Sequence, residues 1–166
     1  EIASRLGSDC PGFLVDGTCV ATGRGEKARP VSPEANDRLH GKRLLLFKPP
    51  IGFSTAAVYA GLRERADARS LGQFTDRKIR AWEKGEIAIH DLMANDLERV
   101  IMDKYCFVRP LFDILSDRFG LIPMLSGSGS CCFAFVPDES PVDRIVDCVK
   151  ESWGDQSFVT QRRIRL

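Results

Sequence analysis

The feature that most constrains this chain is an apolar stretch broken by a turn made only of serine and glycine. Ile122-Pro123-Met124-Leu125 runs into Ser126-Gly127-Ser128-Gly129-Ser130, and Cys131-Cys132-Phe133-Ala134-Phe135-Val136 follows. Apolar runs this short are strand length, too brief for helices. Leu121 to Val136 therefore reads as extended structure interrupted by a turn, and such strands need a sheet to join. Lys42-Arg43-Leu44-Leu45-Leu46-Phe47-Lys48 supplies a second apolar run, stopped by Pro49-Pro50. Ser157 to Arg165 alternates like a final strand.

Between these runs the period changes to that of helices. Ser54 and Thr55 can cap a helix reaching about Leu62, and Thr75 a second one, with Ile79 and Trp82 on one face and Gly85 at its end. Asn95 followed by Glu98 reads as a capping box opening a third. Pro110 suits the first turn of a fourth, in which Leu111, Ile114 and Leu115 form a stripe that Gly120 stops. Ser140-Pro141 opens an amphipathic helix bearing Val142, Ile145, Val146, Val149 and Trp153. The order strand, helices, strand, helix, strand predicts an α+β fold with a mostly antiparallel sheet covered on one side. Ahead of Lys42, Phe13-Leu14-Val15 and Thr18-Cys19-Val20-Ala21 read as short strands around an Asp16-Gly17 hairpin turn. The stretch from Pro30 to Gly41 reads as a linker.

Charge excludes some functions. With 24 basic and 23 acidic side chains the net charge is +1, which argues against a nucleic-acid partner held by a basic surface. The charged stretches 63–69 and 77–80 look like solvated helix faces. No apolar run is long enough for a membrane-crossing helix, so no membrane partner is expected. The six cysteines lack metal-ligand spacing, and both histidines lie far from any of them, so no protein metal site is expected. Buried free thiols in a reducing cytoplasm account for them better than a disulfide.

Three segments can carry chemistry. In Ser126-Gly127-Ser128-Gly129-Ser130 the two glycines let successive N–H groups face one point as an anion nest, and three hydroxyls add donors. The same composition also makes a plain turn. It is neither a Walker loop nor a dinucleotide fingerprint, since no Gly-Lys-Ser/Thr follows and no third glycine falls in frame. Asp9, in Gly7-Ser8-Asp9-Cys10-Pro11, is either a turn former or a base beside a reacting hydroxyl. Thr55 and Tyr59 lie four apart and share one face of a helix. One offers a hydroxyl and the other an aromatic platform, or they are a cap and a half-buried core ring.

Taken in order, Leu6-Gly7-Ser8-Asp9-Cys10-Pro11, Gly23-Arg24-Gly25-Glu26, Lys48-Pro49-Pro50 through Ser54-Thr55 to Tyr59, Asn95-Asp96-Leu97-Glu98 and Met124-Leu125-Ser126-Gly127-Ser128-Gly129-Ser130 resemble the later half of the 4-diphosphocytidyl-2-C-methyl-D-erythritol kinases, a family of GHMP kinases. The resemblance spans nearly the whole chain. It implies ATP-dependent phosphorylation of the 2-hydroxyl of 4-diphosphocytidyl-2-C-methyl-D-erythritol in non-mevalonate isoprenoid synthesis, with Mg²⁺ bridging the phosphates. It places Asp9 as the catalytic aspartate, Tyr59 as the ring stacking on cytosine with Thr55 beside it, and Ser126, Gly127, Ser128, Gly129 and Ser130 as the glycine-rich loop near the phosphates. It divides the chain into residues 1–40, the end of a ribosomal-S5-like domain, and 41–166, a ferredoxin-like GHMP kinase C-terminal domain.

Two departures from the family pattern stand out: Cys10 where a residue such as valine is usual, and Leu125 inserted between Met124 and the loop. The family's ATP-cradling loop and active-site lysine lie upstream, so the chain is expected to be a fragment, inactive alone, whose partner is the missing N-terminal half. The resemblance implies a monomer or weak homodimer in a bacterial cytoplasm, or less commonly a plastid. The alternatives are another GHMP kinase, of mevalonate or homoserine type, and a non-catalytic ferredoxin-like ligand-binding module.

Overall fold

A computed structural model describes residues 2–64 and 72–166. From the amino end, helix α1 (Ile2–Leu6) and a 3-10 turn (Cys10–Leu14) lead to strands β1 (Cys19–Thr22) and β2 (Lys27–Pro30) and to helix α2 (Pro33–Leu39). Strand β3 (Arg43–Lys48) precedes helices α3 (Thr55–Glu64), α4 (Gly72–Glu83), α5 (Ile89–Leu92), α6 (Glu98–Lys104) and α7 (Val108–Phe119). Strands β4 (Met124–Leu125) and β5 (Cys132–Val136), helix α8 (Val142–Trp153) and strand β6 (Phe158–Arg163) complete the order.

The expected α+β architecture is present. Four strands form one sheet in the order β4-β5-β3-β6, every pairing antiparallel, with Phe47 opposite Cys132 on one side and Val159 on the other. Because side chains alternate across a strand, Leu45, Phe47, Cys132, Ala134 and Val136 fall on one face and are buried there. Helices α6, α7 and α8 cover that face with Ile101, Leu111, Leu115, Ile145 and Val149. Gly120 ends α7 in the left-handed region at φ 65°, which a residue without Cβ adopts at little cost. Leu44, Leu46, Phe133 and Phe135 alternate onto the other face and are half-buried. Phe135 there meets a second apolar cluster of Val31, Ala35, Leu39 and Trp82.

Four local expectations give way to the structure. Phe13-Leu14 is not a strand: Pro11, which has a fixed φ and no N–H to donate to a ladder, opens a 3-10 turn instead. The hairpin lies one step later, pairing β1 with β2 around Gly23-Arg24-Gly25-Glu26, where the two glycines take φ of 72° and 109°. Residues 30–41 are not irregular either. The Ser32 hydroxyl accepts from the Ala35 N–H at 3.2 Å and caps α2, Pro33 fills its first turn, and Ala35 and Leu39 are buried. Arg29 pairs with both oxygens of Glu83 at 2.6 and 2.9 Å, tying this region to α4. Thr75 lies inside α4 and not at its cap. Part of the charged stretch at 63–69, residues 65–69, lies outside the described residues. All six cysteines are free thiols, with Cys132 and Cys148 buried and Cys106 exposed. Among the described residues no helix is long and apolar enough to cross a membrane.

Candidate active site

The serine–glycine loop joins β4 to β5, and its base is closed by two backbone bonds. Ser126 N–H donates to Cys131 O at 2.9 Å and Gly129 N–H to Ser126 O at 3.0 Å. Gly127 and Gly129 take φ of 56° and 75°, the left-handed conformation that L side chains rarely adopt. At Gly129 a side chain is also excluded by space, since a Cβ would lie 2.5 Å from Cδ2 of Phe53. Among the described residues the N–H groups of Gly127 and Ser128 donate to no protein acceptor. Two unused amides on a loop with glycine freedom and a neighbouring hydroxyl suit an anion.

The connection from β3 to α3 lies along this loop. Ser130 Oγ donates to Ile51 O at 2.8 Å, and Phe53 stacks on Tyr105 with centroids 4.0 Å apart, which fixes the ring that covers Gly129. The Tyr105 hydroxyl accepts from Ser54 N–H at 3.2 Å. The Ser54 hydroxyl accepts from Ala57 N–H at 3.3 Å and caps α3. Thr55, the first residue of α3, places Oγ1 2.9 Å from Ser128 Oγ. Tyr59 follows one turn later and is 49% exposed. At the loop's base, burial raises the pKa of the Cys131 thiol, and the Lys48 charge acts in the opposite direction and is outweighed.

Asn95 and Glu98 have a larger part than opening a helix. Asn95 Oδ1 accepts from Leu97 N–H at 3.0 Å, a short local turn. Its Nδ2 donates across the fold to Leu125 O and Gly127 O, both at 2.9 Å. The Glu98 carboxylate does not return to close a capping box. It accepts from Leu125 N–H at 3.0 Å. Local spacing announced a helix here but began it too early, since α6 starts at Glu98 after Leu97, and it was blind to these bonds, which cross 27 to 32 residues.

Burial is the main influence on Glu98 and raises its pKa above 4.5; the Leu125 N–H and the Arg109 charge act in the opposite direction and are outweighed. Above pH 4.5 the folded chain therefore holds this proton more firmly than the unfolded chain does. Stability from this group is full below that pH and falls as pH rises through the folded pKa. Glu98→Gln keeps an acceptor for Leu125 and has no proton to lose. Its urea midpoint relative to the unaltered chain is expected to improve from pH 4.5 upward. A difference that does not change with pH would contradict the buried carboxyl.

Asp9 is positioned separately. It heads the 3-10 turn, is exposed, and makes no capping bond through its side chain. Its carboxylate lies against Gly25, where a Cβ would come within 2.7 Å of Oδ1. Among the described residues no hydrogen bond or ion pair joins Asp9 to the loop or to α3. The structure thus brings Thr55 to the serine–glycine loop, leaves Tyr59 one turn away on the same helix, and gives Asp9 no direct bond to either.

Residues 78–155 match the family model for the C-terminal domain of GHMP kinases. A 4-diphosphocytidyl-2-C-methyl-D-erythritol kinase of Nostoc sp. is 31% identical across 97% of this chain and 55% of its own length. The protein of that name from Geobacillus kaustophilus is 34% identical, over 97% of this chain and 53% of its own length. That from Shouchella clausii is 38% identical over 87% and 46%. The chain thus spans about half the length of the curated relatives it matches. Among solved structures, a 4-(cytidine 5'-diphospho)-2C-methyl-D-erythritol kinase superposes with TM-score 0.63 at 23% identity, over 95% of this chain and 54% of that one. A mevalonate kinase superposes with TM-score 0.53 at 16% identity, over 85% and 46%. These two show the shared fold. Residues 78–155 are thus similar to the C-terminal domain of GHMP kinases, and the chain is similar, over about half their length, to the 4-diphosphocytidyl-2-C-methyl-D-erythritol kinases.

Proposed function

We propose that this chain forms the carboxyl-terminal side of a kinase active site that phosphorylates the 2-hydroxyl of 4-diphosphocytidyl-2-C-methyl-D-erythritol. The observation that carries the reading is the 2.9 Å bond between Thr55 and Ser128 hydroxyls, which unites the loop with the head of α3. Bound ATP with Mg²⁺ would supply the phosphoryl group. The Gly127 and Ser128 N–H groups suit phosphate oxygens, and so does whichever of the Ser128 and Thr55 hydroxyls is not donating in the bond between them, because these are donors at or near an exposed loop. Such preorganised donors act where charge develops, and phosphoryl transfer depends on them more than on covalent chemistry. Tyr59 would stack on the cytosine. Asp9 would accept or orient the proton of the attacking hydroxyl. Residues 1–40 would end an S5-like domain and 41–166 form the C-terminal one. The hairpin of β1 and β2, a sheet separate from the other four strands, supports that division. A bacterial cytoplasm would be the setting.

Calorimetric titration of this chain with cytidine diphosphate tests the substrate side. Base–aromatic stacking is worth about 1–3 kcal/mol, so Tyr59→Ala should weaken cytidine diphosphate by roughly 5- to 150-fold. Uridine or adenosine diphosphate should bind less well than the cytidine compound. An unchanged affinity in Tyr59→Ala would take the cytidine-bearing substrate away and turn attention to kinases of mevalonate or homoserine type.

A further inference from the structure

We infer that Asn95 and Glu98 are positioning residues that hold the serine–glycine loop in its binding shape, acting from the head of α6 on the strand end and on the loop itself. The inference rests on the reading of that loop as a phosphate site. Asn95 Nδ2 donates to the carbonyls of both Leu125 and Gly127 at 2.9 Å, so one amide fixes the carbonyl before the loop and one within it. Glu98 fixes the other polar group of Leu125 by accepting from its N–H at 3.0 Å. Leu125 therefore has its carbonyl and its amide both held by side chains of one short segment. Asn95 is itself held, because its Oδ1 is engaged by Leu97 N–H at 3.0 Å.

The consequence for the loop follows from which groups are used. The clamp takes the carbonyl of Gly127 and leaves the Gly127 and Ser128 N–H groups without protein acceptors among the described residues. Turning the Gly127 carbonyl toward Asn95 rotates the following peptide unit as one rigid plane, and that plane carries the Ser128 N–H. Asn95 thereby sets the direction of an amide it never touches. Gly127, exposed and at φ 56°, has no side chain to hold this conformation by packing. With glycine's broad choice of backbone states, the loop needs an external tie. Asn95 and Glu98 supply it from a helix whose Val100, Ile101 and Met102 are buried in the core.

The test uses the 166-residue chain with four substitutions and two measurements. Asn95→Asp keeps the acceptor for Leu97 N–H and removes both donations. Asn95→Ala removes everything. Glu98→Ala removes the acceptor for Leu125 N–H, and Glu98→Gln retains one. The first measurement is amide hydrogen exchange by NMR at Leu125, Ser126 and Gly129, whose N–H groups are bonded, with buried α7 amides as the reference. Exchange at these three is expected to rise at least tenfold in Asn95→Asp, Asn95→Ala and Glu98→Ala, while α7 is unchanged and Glu98→Gln stays near the unaltered chain.

The second measurement is binding of inorganic tripolyphosphate, expected to weaken at least tenfold in the three loosened variants and to be kept by Glu98→Gln. Loop exchange unchanged in both Asn95→Asp and Glu98→Ala overturns the clamp, whatever tripolyphosphate does. Equal losses in Glu98→Gln and Glu98→Ala overturn it too, since only the second removes the acceptor. If the three variants loosen the loop and the unaltered chain binds no tripolyphosphate, the clamp stands and the phosphate reading of the loop falls.

Discussion

Alanine at position 9 is expected to lower kcat by about 10²- to 10⁴-fold in an active protein bearing this sequence, with its unfolding midpoint almost unmoved. The two halves of that expectation have different origins. Transfer of a phosphoryl group to a hydroxyl requires that the proton of the nucleophile be accepted or oriented, and Asp9 is the group we propose for it. Structurally, the same side chain has little to do. It is exposed, it makes no capping bond at the 3-10 turn it heads, and among the described residues it forms no ion pair. Surface substitutions of this kind usually change stability by no more than about 0.5 kcal/mol. Asp9→Asn keeps the shape and removes the proton acceptor, so it should match alanine in rate. A kcat within about threefold of the unaltered protein for either variant would remove Asp9 from the mechanism. A parallel loss of stability would assign it to the turn instead.

The largest effect on stability is expected at Phe47. Its side chain is fully buried, in a strand paired on both sides, with ring centroids 6.2 Å from Phe112 and 5.7 Å from Trp153. Phe47→Ala removes contacts with α7 and α8 at once and leaves a cavity that a strand fixed by two neighbours cannot close. The cost is about 3–5 kcal/mol, a large part of the 5–15 kcal/mol typical of a folded protein. A thermal midpoint lower by about 10 °C or more is the corresponding readout. Phe158 on the adjoining strand is the control, because it is 54% exposed and its removal leaves little unfilled space. Phe158→Ala should cost less than about 1 kcal/mol. Comparable losses at 47 and 158 would mean that the covered face of the sheet has been misidentified.

Much of the architecture was legible in the residues. Lys42 to Lys48 announced a strand because its apolar run is short and ends at two prolines, and β3 occupies Arg43–Lys48. Ser54 announced the start of α3, and its hydroxyl caps that helix. Gly120 announced the end of α7 and sits there at positive φ. Each of these signals acts within one or two turns of chain, so sequence spacing contains it whole. The misreadings near the amino end have an equally local cause. Phe13-Leu14-Val15 has strand composition, yet Pro11 two residues earlier removes a donor and bends the backbone into a 3-10 turn. Residues 30–41 have linker composition, with two prolines, Asn36, Asp37 and a glycine. Within them Pro33–Leu39 folds as a helix because Ser32 caps it and the Val31 and Trp82 cluster buries its apolar side.

The candidate site was legible as a set of parts. Ser126 to Ser130 could be recognised as a turn able to receive an anion, and Thr55 with Tyr59 as a pair on one helix face. That Thr55 reaches Ser128 across 73 residues, and that Phe53 covers Gly129, depends on how β3 and β5 pair within the sheet. Composition and short-range spacing determined most of the element types from Lys42 onward, the α+β class and the chemistry each loop can offer. Tertiary structure alone decided that Asn95 and Glu98, spaced as a helix cap, turn their polar atoms to Leu125 and Gly127. The reason is physical: a capping signal is satisfied by any nearby backbone group, and only closure of the fold determines which backbone is near.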